Sequence, residues 1–77
     1  MEQKIKQDEI CIGQNIKRIR KEKKIKQIDV VREMQLRGMD ITREALVKIE
    51  RGIQHIYASQ LKAMKEILDT TYDDLLQ

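Results

Sequence analysis

At 77 residues, with one cysteine and no proline, phenylalanine or tryptophan, the chain is one small domain with no internal disulfide available, held together by aliphatic packing. A formal charge of +3 with 38% charged residues is a modest basic bias, which permits nucleic-acid binding without demanding it. No run is long or apolar enough to cross a membrane and the opening MEQKIKQDEI is too polar for a signal peptide, so a cytoplasmic location is expected.

Ile, Leu, Val, Met and Ala recur at helical spacing and predict an all-α bundle. Residues 1–9 read as a frayed tail or an extra helical turn, because Ile5 is their only apolar residue after Met1. The domain proper is expected over 10–77. A first helix begins at Ile10, with Ile12, Ile16 and Ile19 on one stripe. The basic run KRIRKEKK occupies its other faces, either as a solvated flank or with some lysines beside a phosphate backbone.

A second helix starts near Lys26-Gln27, with Ile28, Val31 and Met34 as its apolar positions. Lys26 offers no side-chain acceptor as a cap; Asp29 places negative charge at the positive helix end, and the free first-turn amides there suit an anion. The helix closes at Leu36-Arg37, where Gly38 can adopt the left-handed conformation, and Met39 and Ile41 tuck the corner into the core. Thr42 caps a third helix running to about Arg51, with Leu46 and Ile49 inward, Ala45 allowing close approach, and Gly52 as the stop. Two helices meeting at a short glycine corner form a helix-turn-helix unit. Residues 53–57 carry no strong pattern. Leu61, Met64 and Leu68 define a fourth helix, and Thr71-Tyr72-Asp73-Asp74 is a capping box, with aspartate in place of glutamate, for a short fifth ending at Leu75-Leu76.

The opening IGQNIKRIRKEKKIKQ, the VKIERG that ends the third helix and the closing LKAMKEILDTTYDDLL together resemble a Cro/cI-type (lambda repressor-like, XRE family) helix-turn-helix DNA-binding domain over about Ile12 to Leu76. The resemblance implies a compact five-helix domain. It implies sequence-specific binding of double-stranded DNA by a small bacterial or phage-type transcriptional regulator, expected to be a repressor, with the third helix in the major groove. Arg20 and Glu50 match the family's structural ion pair. Gln27, Thr42, Lys26 and Arg51 match phosphate contacts, and Arg43, Glu44 and Lys48 match base contacts. Arginine and lysine suit guanine O6 and N7, and glutamate accepts from cytosine N4; Glu44 is also placed to pair with Lys48 one turn on. A homodimer on a two-fold operator is implied, with Tyr72, Leu75 and Leu76 as pairing candidates whose more ordinary role is to close the core. In this reading the protein is nucleoid-associated.

The chain departs from the family pattern in four places. The segment joining the second and third helices is longer by roughly one helical turn. Val31 stands where a small alanine is usual, and Lys26 where a capping Ser or Thr is usual. The loop after Gly52 reads IQHIYAS, with His55 its only chargeable residue. That loop, and Glu44 on the reading helix, motivate the alternative: a protein-interaction module or antitoxin-like partner on the same fold. RNA is disfavoured by the lack of exposed stacking aromatics. One histidine and one cysteine supply neither a zinc site nor a nucleophile with base and orienter, so no metal, cofactor, small-molecule ligand or enzymatic activity is expected. Cys11 reads as a small apolar residue at a helix start, and Met34, Met39 and Met64 as core filler.

Overall fold

The computed structural model describes residues 4–5 and 11–77. Its elements run β1 (Lys4–Ile5), α1 (Ile12–Glu22), α2 (Gln27–Leu36), α3 (Arg43–Glu50), β2 (Ile56–Tyr57), α4 (Ala58–Ile67) and α5 (Tyr72–Leu75). The domain is mostly helical, with one addition to the all-α expectation. β1 and β2 pair antiparallel, Lys4 opposite Tyr57 and Ile5 opposite Ile56. Lys4 and Ile5 are therefore neither tail nor helical turn. Pairing lets Ile5 pack against the core beside the buried Ile56. The rest of 1–9, and the expected helix start at Ile10, lie outside the described residues.

α3 packs against both α1 and α2, α4 packs on α2, and α5 on α1. The core is wholly aliphatic and sulfur-containing: Ile12, Ile16 and Ile19 from α1, Val30, Val31 and Met34 from α2, Leu46 and Ile49 from α3, and Leu61, Ala63, Met64, Leu68 and Leu75 from the C-terminal part, with Ile41 and Ile56 from the connections. Met39 is half-buried against it. One expected core position is corrected. Ile28 is 45% exposed, and Val30 takes its place. The inward face of α2 is Val30, Val31 and Met34, all buried, with the half-buried Gln27 one turn before Val30 and Val31, the i, i+3, i+4, i+7 face, so Ile28 falls off it.

Each of the first four helices ends in the same hydrogen-bonded turn, in which the chain reverses through a left-handed residue. Gly38 (φ 84°) closes α2 and Gly52 (φ 78°) closes α3. In α3 the Gly52 amide donates to Ile49 O and the Ile53 amide to Lys48 O. α1 and α4 make the turn without glycine, at Lys24 (φ 58°) and Asp69 (φ 50°). Lys23 Nζ donates to the carbonyls of Leu68 and Asp69, both at 2.6 Å, setting a cation at the negative end of α4. Thr42 caps α3 by accepting from Ala45 N at 3.1 Å. Thr71 caps α5 by accepting from Asp74 N, but the Asp74 carboxylate accepts from the Thr70 hydroxyl. No helix is long and apolar enough to cross a membrane among the described residues.

Candidate nucleic-acid interface

The site is organised by a polar chain that runs from the core to the surface. Arg20, late in α1, lies fork-to-fork on Glu50 at the end of α3, with Nε donating to Oε2 at 2.8 Å and Nη2 to Oε1 at 3.0 Å. Both residues are buried, at 8% and 4% exposure. The remaining Arg20 nitrogen, Nη1, donates to Ile25 O at 3.0 Å, and Gln27 Nε2 donates to Glu50 Oε1 at 3.0 Å. The buried carboxylate thus accepts three hydrogen bonds, two of them from the Arg20 cation. The amide oxygen of Gln27 in turn faces outward and accepts from Arg43 Nε at 3.5 Å. This chain fixes the entry of α2 against the first residue of α3.

Gly13 makes that approach possible. A Cβ added there would lie 1.8 Å from the carbonyl oxygen of Ile49. A side chain at this position would force α1 and α3 apart at the backbone of Ile49 and Glu50. The residue was not singled out from sequence, because a glycine inside a helical pattern carries no sign of what it faces.

Two adjoining grooves lie on this side of the molecule. One, of about 450 Å³, is lined by Lys17, Arg20, Lys21, Lys26, Gln27, Ile28 and Arg43. The other, of about 560 Å³, follows α3 along Arg43, Glu44, Val47, Lys48, Arg51 and Ile53. Arg43 belongs to both. Elsewhere among the described residues Arg18 pairs with Glu22, Arg32 with Asp29 and Arg37 with Glu66, Lys23 donates to carbonyl oxygens, and Lys4 and Lys65 lie over tyrosine rings, which leaves Lys24 and Lys62 without such a partner. Among the described residues, the basic side chains lining the grooves have no carboxylate partner, Arg20 excepted. The first groove has no acidic residue in its lining.

Arg43, Glu44 and Lys48 are exposed and stand on one face of α3. Glu44 and Lys48 do not pair with each other. Lys26 is exposed at the amino end of α2, where it provides no side-chain cap. Gln27 is half-buried, with its side chain held between Glu50 and Arg43. The Thr42 hydroxyl already accepts the Ala45 amide. Arg51 is exposed at the carboxyl end of α3. The candidate pairing residues divide: Tyr72 and Leu76 are 40% and 38% exposed, whereas Leu75 is fully buried. Leu75 closes the core and offers no area to a second chain, which corrects its place among the candidates. Its carbonyl accepts from Asn15 Nδ2 at 2.9 Å. Cys11 is exposed at the start of α1 instead of packing as an apolar residue. Among the described residues no group of three or more His, Cys, Asp or Glu is placed to hold a metal ion.

Val47 and Ile53, which line the α3 groove, were missed from sequence. Their spacing is that of ordinary helix and loop positions, and only the turn at Gly52 brings them to one side.

Compared with protein-family models, curated proteins and solved structures, the chain matches none.

Proposed function

We propose that the chain is a sequence-specific double-stranded DNA-binding protein of the Cro/cI-type helix-turn-helix kind, acting as a small transcriptional regulator. α2 and α3 form the helix-turn-helix unit and α3 enters the major groove. The observation that carries the reading is the partition of charge. Cations without carboxylate partners line the two grooves that meet at Arg43, while elsewhere among the described residues Arg18, Arg32 and Arg37 are in ion pairs, Lys23 caps a helix, and Lys4 and Lys65 lie over tyrosine rings.

A phosphate backbone fits the first groove. Lys17, Lys21 and Lys26 approach it from α1 and the amino end of α2, and the uncapped first-turn amides of α2 add donors. Arg43, Glu44 and Lys48 then face base edges, where Arg and Lys donate to guanine and Glu accepts from cytosine. Arg43 is oriented by Gln27, leaving its terminal nitrogens available for a bidentate contact. A homodimer would set two copies of α3 about 34–36 Å apart on successive turns of a palindrome, with Tyr72 and Leu76 in the pairing surface.

Selection of bound sequences from a random duplex pool tests this. An enriched site with two inverted half-sites is expected. The second reading, a protein-interaction module, is favoured by the apolar Val47 and Ile53 in the α3 groove. It is distinguished by the absence of any enriched duplex.

A further inference from the structure

The α3 groove contains an apolar spot that neither the fold nor the charge pattern uses. Ile53 is the second residue past the end of α3. The amide of Ile53 donates to Lys48 O, and this turn folds the chain back toward the exposed side of the helix. Such turns often bring a hydrophobic contact with the last helical turn, which is the ordinary reason for an isoleucine there. Yet Ile53 remains 62% exposed, so most of its side chain is left over from that contact. Val47, half-buried, lies in the same groove, one helical turn from Arg43, from Glu44 and from Arg51.

We infer that Val47 and Ile53 form a seat for the 5-methyl group of a pyrimidine in the major groove, so that this protein reads methyl groups beside the polar contacts of Arg43, Glu44 and Lys48. The inference rests on the DNA reading above and adds a specificity determinant to it. Charge complementarity selects the occupant. Arg43, Lys48 and Arg51 surround the spot with no ion pair among the described residues. An apolar protein surface laid here would bury those charges without partners, which is costly. A duplex supplies phosphates for the cations and a methyl for the aliphatic pair. In the major groove the pyrimidine methyl is the apolar feature, and aliphatic side chains are its usual contact. The methyl belongs to thymine or to 5-methylcytosine, and Glu44, facing the same groove, suits the exocyclic amine of the latter.

The test uses the duplex enriched from a random pool, with wild type and a Val47→Ala/Ile53→Ala variant whose folding is checked by a thermal melt. Each thymine is replaced singly by deoxyuracil, and each cytosine by 5-methylcytosine, changing only the methyl. The expected result is a change of about 4-fold in wild-type affinity at one or two positions, the size of one buried methyl. In the variant the change at those positions should fall below about 1.5-fold. A uracil effect assigns the seat to thymine, and a 5-methylcytosine effect assigns it to the methylated base. No methyl effect at any position, or an equal effect in both proteins, overturns the inference and leaves the DNA reading standing. Failure to enrich any duplex overturns both.

Discussion

Replacing Arg20 by methionine removes the cation from a carboxylate that is 4% exposed. Glu50 then keeps one donor, Gln27 Nε2 at 3.0 Å, and Ile25 O loses Arg20 Nη1. Breaking a buried pair from one side strands a charge and typically costs about 3–5 kcal/mol. A domain of this size is stable by roughly 4–12 kcal/mol at the usual increment per residue, so the single variant is expected to lie close to unfolding. Arg20→Met combined with Glu50→Leu removes both charges and fills the site with apolar volume. That double variant is expected to recover most of the loss, because a packed apolar substitute is often neutral or better than a buried pair. Urea unfolding followed by circular dichroism gives all the corners of the double-mutant cycle. A loss below about 1 kcal/mol in Arg20→Met, or a double variant as unstable as the sum of the singles, refutes the reasoning.

Gly13→Ala would ordinarily favour a helix, but the Ile49 carbonyl occupies the space. A lowered melting temperature is expected, with a loss of about 3 kcal/mol from overpacking; a stabilised variant would show that α1 and α3 are not in this contact. Lys24 is exposed and held at φ 58°, so Lys24→Gly is expected to raise stability by about 0.5–1 kcal/mol in the same melt. For a selected duplex, Arg43→Ala should lose about 1–3 kcal/mol of binding and relax preference at one base position, read by repeating the selection with the variant. Lys21→Ala should weaken all sequences alike and reduce the salt slope by about 1, measured by titration at several ionic strengths.

Much of this architecture is legible in the chain. The stripe Ile12, Ile16, Ile19 and the corner glycines Gly38 and Gly52 carry their meaning locally, through helical period and through a backbone conformation that glycine adopts easily. Thr42 announces a helix start because its hydroxyl can accept a first-turn amide, here that of Ala45. The turns at Lys24 and Asp69 were not visible, because a lysine does not mark a left-handed conformation and an aspartate marks it only weakly; backbone hydrogen bonds from Ile25 N to Arg20 O and from Thr70 N to Lys65 O close them. The β1–β2 pairing joins segments some fifty positions apart, and two residues per strand are too few to show an alternating pattern. Ile28 misled because an isoleucine three residues before a valine fits a helical stripe, while the true face carries Gln27, whose side chain is needed beside Glu50. The charge partition was hidden in a similar way. KRIRKEKK is a uniform basic run in sequence, yet the fold assigns Arg20 to a buried pair, Lys23 to a helix cap, and Lys17 and Lys21 to a groove.

The most direct measurement is the salt dependence of affinity for the enriched duplex, in wild type and in a variant with Lys17, Lys21 and Lys26 all changed to glutamine. If these three lysines each neutralise a phosphate, the wild-type plot of log affinity against log salt should have a slope of roughly −2.7 or steeper, and the variant should be shallower by about 2.7. A flat wild-type plot, or an identical slope in the variant, would contradict the assignment of these grooves to DNA.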